Sequence, residues 1–308
     1  MSFLVIGECV ADIVRAPAGS GAADRVHPGG SPANVAFGLG RLGRDVTLLT
    51  QLAEDPAGRL IRAHLQDAGV RVRVGGVPPR TPSAVVGLDA RGAASYTFDI
   101  AWTLSAPAPA RLAPAHVHIG SIAAVTAPGA ATVLAETERL RDRATVSYDP
   151  NVRPALMGEH GAAVDRVERC VALADLVKAS DEDLAWLYPG ESPETVAARW
   201  LARGPAVVLV TLGARGSFAA TRRHTVRAAA PRVGIVDTVG AGDSFMSAVL
   251  DALAGRDRAT LGALSADALA GLLATAGAAA AVTVSRAGAL PPDRAELDVA
   301  RREYASGG

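Results

Sequence analysis

Short runs of consecutive apolar residues alternate along the chain with segments whose apolar positions recur every three or four residues. The runs are FLVIGECVAD (3–12), VTLLTQLA (46–53), HVHIGSI (116–122), ATVSYDP (144–150), ADLVKAS (174–180) and AVVLVTLG (206–213). Helical patterns such as SPANVAFGLGRLG (31–43), VDRVERCVALA (164–174) and SPETVAARWLAR (192–203) separate them. Strands buried on both faces read as continuous apolar runs, so this order predicts a parallel sheet covered by helices on each side, a three-layer α/β sandwich. Ser31 is expected as an N-cap with Pro32 at the first helical position and Gly43 as the stop; Asp55, Pro56 and Gly69 repeat that punctuation.

Two stretches depart from the alternation. RVRVGGV (71–77) and SAVVGLDARGAASYTFDI (83–100) alternate polar and apolar at period two around a turn at Asp89–Gly92. They predict a small β lid beside the main sheet, contributed mainly by about 12–28 and 70–102, within a single domain over 1–308. Residues 268–285 carry no charge but are mostly Ala, Gly and Thr, which insert weakly in lipid. They are read as a buried helix running into a strand, not a membrane span.

Composition narrows the partners. The 308 residues have zero formal net charge, 49% hydrophobic content and only 4% aromatics. A nucleic-acid partner is not expected, because basic stripes interleaved with aromatics are missing. Glu8 and Asp12 interrupt the first apolar run and no basic segment precedes it, so it reads as a strand, not a signal peptide, and a cytoplasmic location is expected. Cys9 and Cys170 read as buried free thiols. The chain has one lysine, Lys178, among 31 basic residues. A lysine that survives such arginine bias suggests a place where a compact charge is needed instead of a planar fork.

The stretch GIVDTVGAGDSFMSAVL (234–250) carries the most chemistry. Gly240, Ala241 and Gly242 leave the backbone approachable at the head of an apolar helix, whose free N–H groups favour an anion. Asp243 beside that anion suits a base that takes a hydroxyl proton while the N–H groups hold a transferring phosphoryl group. Helix capping by Asp243 is the competing reading. In HPGGSPANVAFGLG (27–40), Gly29 and Gly30 let a ligand touch backbone, and the Asn34 amide both donates and accepts toward hydroxyls. With Asp12 they form a polyol-binding set, against the alternative of a turn and a cap.

Taken together, GGSPANVAFGLGRLG and DTVGAGDSF resemble the two signatures of the ribokinase-like carbohydrate kinases, the PfkB family. Asp12, DPNVRP (149–154), VTLGARGS (210–217) and AVTVSRAGALPP near the C-terminus fall in the order that family shows. The resemblance implies a ribokinase-like fold and transfer of the γ-phosphate of ATP to a primary hydroxyl of a sugar. Asp243 would be the base and Gly240, Ala241 and Gly242 the anion hole. Asp12, Gly29, Gly30 and Asn34 would hold the sugar, and Tyr96 and Phe98 on the lid would close over it. Arg153 would meet substrate or phosphate, with a surface salt bridge as its alternative. Lys178, Thr211, Gly213 and Gly216 would lie beside the nucleotide. Asp183, where the family has Glu in its Asn-x-x-Glu motif, would reach Mg2+ through water, and Asp237 would help hold a monovalent cation such as K+.

Within the family the fructokinase branch is most similar, so fructose is the first substrate. Ribose, 2-keto-3-deoxygluconate or a nucleoside would suit the same base and anion hole, and Asp99 in a lid without arginine speaks against an acidic sugar. A non-catalytic sugar sensor on the same fold is the alternative of another class. The lid's open edges point to a homodimer through it. GLGRLG (38–43) matches a dinucleotide fingerprint literally but lies inside a helix, so helix packing is the reading, and a nicotinamide-dependent oxidoreductase is the reading it displaces. His116 and His118 fall on one side of a strand without an apparent third ligand and read as structural.

Overall fold

The computed structural model describes residues 2–16, 23–88, 94–108 and 112–306. Its strands are, in chain order, β1 (Ser2–Ile6), β2 (Val10–Val14), β3 (Arg25–Gly29), β4 (Asp45–Thr50), β5 (Arg71–Val74), β6 (Ser83–Leu88) and β7 (Ala94–Asp99), then β8 (His116–Gly120), β9 (Thr145–Asp149), β10 (Leu176–Ser180), β11 (Val207–Thr211), β12 (Ser217–Ala220) and β13 (Thr225–Ala228). Nine of them form one sheet in the order β13-β12-β11-β10-β9-β8-β1-β4-β5, parallel except for β12, which pairs antiparallel with both β11 and β13. The other four form a small sheet, β3-β2-β6-β7.

Alternation along each central strand feeds two cores. Leu4 and Ile6 of β1 pack with the helices Gly129–Leu140, His160–Leu173 and Pro193–Arg203, while Phe3 and Val5 pack with Ser31–Arg41, Ala241–Ala252 and Ala266–Val284. A one-residue slip would exchange the two faces, and each fully buried apolar side chain contributes about 1.5–3 kcal/mol, so the register is strongly specified. After β1 the chain fills one side of the sheet with β4 and β5 and the other with β8 to β11. That reversal at β1/β8 opens a crevice at the carboxyl ends of the strands, the usual ligand position in such sheets.

Several expectations change. The first apolar run is two strands in two sheets. At Gly7, where Pro32 packs so close that no Cβ fits, the chain leaves the main sheet, and Asp12 lies on the lid strand β2. Arg71–Val74 belongs to the main sheet as edge strand β5, with Val72 and Val74 against the core; the lid proper comprises β2, β3, β6 and β7. The Asp89–Gly92 turn lies outside the described residues. The helix Ala266–Val284 takes the Val282–Val284 segment as its last turn, with Thr283 Oγ1 donating to the Ala279 carbonyl at 3.0 Å, and no strand follows among the described residues. By length and composition this helix would pass for a membrane span, yet Leu269, Leu272, Leu273, Ala276 and Ala279 are buried in the core. Asp55 caps its helix as expected, accepting from Gly58 N at 2.7 Å.

Candidate active site

The face of the sheet beneath the helix Ala241–Ala252 carries an unusual row of polar residues. His116 and His118 on β8, Ser147 and Asp149 on β9, and Lys178 on β10 lie on that face, opposite the apolar Val117, Val146 and Val177. His116 Nε2 and His118 Nδ1 share the Ser147 hydroxyl at 2.8 and 2.9 Å. Burial pushes both imidazoles down to about 3, so they stay neutral, in keeping with a structural role. Lys178 is central in β10 and does not end it. Its Nζ lies 2.9 Å from Asp149 Oδ2, and side-chain exposures of 5% and 1% make the pair fully internal. Burial pushes Asp149 up to about 6 despite the lysine. For Lys178, burial alone would lower the pKa, but Asp149, Asp183 and Asp243 outweigh it and raise it.

Above that pair sits the glycine loop. Gly240 caps the helix Ala241–Ala252 with φ 76°, and a Cβ there would meet Ala289 Cα at 2.8 Å, so only glycine suits the position. Gly242 presses on Lys178: its missing Cβ would lie 3.0 Å from Nζ. The Ala241 N–H reaches the Thr238 carbonyl at 3.3 Å, which makes the Gly242 and Asp243 amides the first-turn donors lacking an intrahelical acceptor. The loop therefore presents backbone N–H groups, a helix N-terminus and a buried ammonium to one point.

Asp243 is half-buried beside that point and does not cap its own helix. Ser31 Oγ donates to its Oδ1 at 2.6 Å and Asn34 Nδ2 to its Oδ2 at 2.9 Å. Burial raises its pKa, opposed by those two donors and by Lys178 and Arg153. The expected Ser31 cap is thus corrected. Gly30, at φ 97° and with the Glu8 carbonyl 2.5 Å from where a Cβ would stand, is the N-cap, and Ser31 enters the helix with its hydroxyl turned to Asp243. Asn34 likewise meets the carboxylate, and its remaining amide oxygen is an acceptor. Ser31 was missed as a site residue because Ser-Pro before an apolar run is also a standard cap signal.

One cleft of about 1010 Å³ brings the chemistry together. Asp12, Gly30, Asn34, Phe98 and Arg153 line it, and so do Lys178, Asp183, Thr211, Gly213, Gly216 and the 240–243 loop. Gly29 and Asp237 are the two expected residues that do not. Gly29 ends β3, where the Asp12 carboxylate leaves no room for a Cβ. Burial lifts Asp12 to about 6, against the pull of His27 and Arg153. Arg153 is exposed and uses Nη1 to reach Asn151 Oδ1 at 2.8 Å and the Asn151 and Val152 carbonyls at 3.2 and 3.0 Å. Glu8, Ser121 and Asn151 also line the cleft and escaped the sequence reading. Ser121 and Asn151 sit just past β8 and β9 at φ 54° and 36°, which no local pattern announced.

Metal binding can be judged from the donors. Asp183 closes a capping box with Ser180, its two oxygens accepting Val152 N at 2.7 Å and Ser180 N at 2.8 Å. Each oxygen keeps a second lone pair, which fits contact through a metal-bound water. Asp237 accepts Val239 N at 3.0 Å and Gly288 N at 2.9 Å; these bonds lower its pKa and join the turn before the glycine loop to the turn after Val284. Among the described residues no cluster of three or more His, Cys, Asp or Glu forms a metal site of its own. The GLGRLG segment is helix packing: a Cβ at Gly38 would meet Ser247 Oγ at 2.5 Å on the neighbouring helix.

Comparison with known proteins matches residues 2–295 to the pfkB family carbohydrate kinases. The chain belongs to that family. It is a phosphotransferase with an alcohol group as acceptor, on the ribokinase-like fold. A fructokinase of Klebsiella pneumoniae is 36% identical over 259 residues, covering 81% of this chain and 83% of that protein. The structure of a Xylella fastidiosa fructokinase with bound ATP superposes at TM-score 0.84 and 26% identity over 99% of both chains. A fructokinase double mutant of Vibrio cholerae O395, in its fructose-, ADP- and potassium-bound form, superposes at 0.80 with 28% identity over 98% and 97%. The fold brings the glycine loop and the Ser31–Asn34 segment, the two stretches whose resemblance pointed to the family, together on Asp243.

Proposed function

We propose that this pfkB-family kinase phosphorylates a primary hydroxyl of a neutral sugar with ATP, and that the sugar is fructose. The observation that carries the reading is the Asp243 carboxylate, oriented by Ser31 and Asn34 beside the first-turn amides of its helix. Asp243 removes the hydroxyl proton as the sugar oxygen attacks the γ-phosphorus and the bond to the ADP oxygen breaks. The free Gly242 and Asp243 amides of the Gly240–Asp243 loop and the helix end hold the transferring phosphoryl group, the Ala241 N–H being directed to the Thr238 carbonyl. Asp12, Gly30 and Asn34 hold sugar hydroxyls, with Gly29 packed behind the Asp12 carboxylate instead of meeting the sugar; Arg153 meets substrate or phosphate, and Phe98 on the lid excludes water. Thr211, Gly213 and Gly216 flank the nucleotide, with Lys178 beneath its terminal phosphate.

Asp183 would hold water on Mg2+, which when bound neutralises phosphate charge, and Asp237 would shape a K+ site beside the loop. The fructose, ADP, potassium and ATP found with the Vibrio and Xylella relatives support this assignment. A homodimer through the lid edges β3 and β7 goes with it, and gel filtration at two concentrations tests that part. The deciding experiment is coupled ADP release with fructose, ribose, tagatose, 2-keto-3-deoxygluconate and adenosine on wild type and Asp243→Asn. Turnover of fructose that falls by about 10²–10⁴ in the variant is expected. A folded wild type that binds fructose without turnover would overturn the reading in favour of a sugar sensor.

A further inference from the structure

Ser121 stands in a backbone conformation, φ 54° and ψ −154°, that glycine adopts freely and other residues hold only under strain. The cause is local crowding. Gly120, the last residue of β8, has no room for a Cβ, because the Asp149 carbonyl would lie 2.6 Å from it. The next N–H then turns back to donate to that same carbonyl at 2.8 Å. Glycine at 121 would relieve the strain, yet the chain carries a hydroxyl. That hydroxyl favours the ionised form of Glu8 against its burial, and Glu8 Oε2 accepts Ala123 N at 3.2 Å. Glu8 and Ser121 are 2% and 3% exposed, and both line the cleft beside Gly30, whose space is bounded by the Glu8 carbonyl.

We propose that Glu8, held by Ser121, is a sugar-binding residue, and that it restricts this part of the cleft to uncharged sugars. The inference rests on the kinase reading for its ligand. Three carboxylates, Glu8, Asp12 and Asp243, surround this space; the Arg153 guanidinium lies within electrostatic reach of all three, and the Lys178 ammonium acts on Asp243 while paired with a fourth carboxylate, Asp149. Acids outnumber the two cations, so a sugar carboxylate entering here meets net repulsion, whereas hydroxyls find acceptors. Burial lifts Glu8 to about 7, so it keeps substantial negative charge at neutral pH and above. Retention of a strained serine is explained by the acid it positions, since strain of this kind persists where function uses it.

The test uses Ser121→Gly, Ser121→Ala and Glu8→Gln in the intact protein, with thermal unfolding, KM for fructose and KM for ATP measured together. Ser121→Gly should hold or raise Tm while the fructose KM rises about tenfold, the effect of one lost hydrogen bond to a charged group. Ser121→Ala should raise the fructose KM equally without the gain in Tm, and the ATP KM should stay within about twofold in both. Glu8→Gln should raise the relative kcat/KM for 2-keto-3-deoxygluconate over fructose by about tenfold. A Ser121→Gly protein with unchanged fructose KM, or one in which both KM values rise together, would overturn the proposal. If wild type lacks turnover, calorimetric binding of fructose decides separately. Tenfold weaker binding to Ser121→Gly then refutes the kinase reading alone, and equal binding refutes this one.

Discussion

Replacing Lys178 by methionine should produce a defect that grows with pH, and the size follows from the geometry. For a phosphoryl oxygen at the Gly242 and Asp243 amides, taken as about 5 Å from Nζ, a unit pair at an effective dielectric of about 20 is worth about 3.3 kcal/mol. The Asp149 carboxylate, 2.9 Å beyond Nζ, opposes this. From about 8 Å its repulsion is about 2.1 kcal/mol, so the intact pair attracts phosphate by about 1.2 kcal/mol, roughly eightfold. Without the lysine, Asp149 rises from its value of about 6, since burial then acts without a counter-charge. Near pH 7 it is largely protonated in the variant, and kcat/KM for ATP falls by roughly eightfold, the attraction of the pair. As it ionises towards pH 9 its repulsion adds, and the loss grows to about 3.3 kcal/mol, on the order of 200-fold.

The assay is the ratio of wild-type to variant kcat/KM for ATP between pH 7 and 9. Lys178→Met/Asp149→Asn, which carries no carboxylate, should show a flat loss of roughly eightfold. Lys178→Arg keeps the charge but adds bulk where Nζ already lies 3.0 Å from the Gly242 Cβ position, so it should not restore activity. A ratio near one at every pH, or full activity in Lys178→Arg, would refute the reasoning. Thermal unfolding gives an independent reading. Leaving one buried member of an ion pair unpaired costs about 3–5 kcal/mol, and neutralising both costs less, so the double variant should unfold at a higher temperature than Lys178→Met.

Other consequences are simpler. Ser31→Ala and Asn34→Ala each remove a donor that lowers the Asp243 pKa, so that pKa rises further and the acid limb of the kcat/KM profile moves to higher pH; an unmoved limb would exclude Asp243 as the titrating base. Gly240→Ala must fit a Cβ against Ala289 at φ 76°, and should cost about 1–3 kcal/mol of stability, read as a lower Tm, and shift the loop enough to lower kcat at least about tenfold. Asp237→Ala releases the bonds to Val239 and Gly288, and should abolish any stimulation of fructose phosphorylation by K+ over Na+; stimulation that survives the change would place the cation elsewhere.

Much of this protein is written locally. Apolar runs without alternation predicted the central parallel strands because a strand covered by helices on both faces needs apolar side chains on each. Gly240–Asp243 and Gly29–Asn34 were legible because backbone approach and hydroxyl chemistry restrict a position to a few residue types. Partnership was not legible, since it joins residues distant in the chain. Ser31 reads as a cap until the fold brings it and Asn34 to Asp243, more than 200 positions away. Arg71–Val74 alternates like a lid strand, and only pairing with β4 placed it at the edge of the main sheet. The lone lysine was visible in the sequence as an oddity. Its meaning, a buried ammonium set between Asp149 and the Gly242 backbone, came from the tertiary structure, because only the crossing of strand ends beneath the helix decides which charges share one low-dielectric space. The same crossing strains Ser121 and turns it to Glu8, a contact that periodicity and spacing cannot encode.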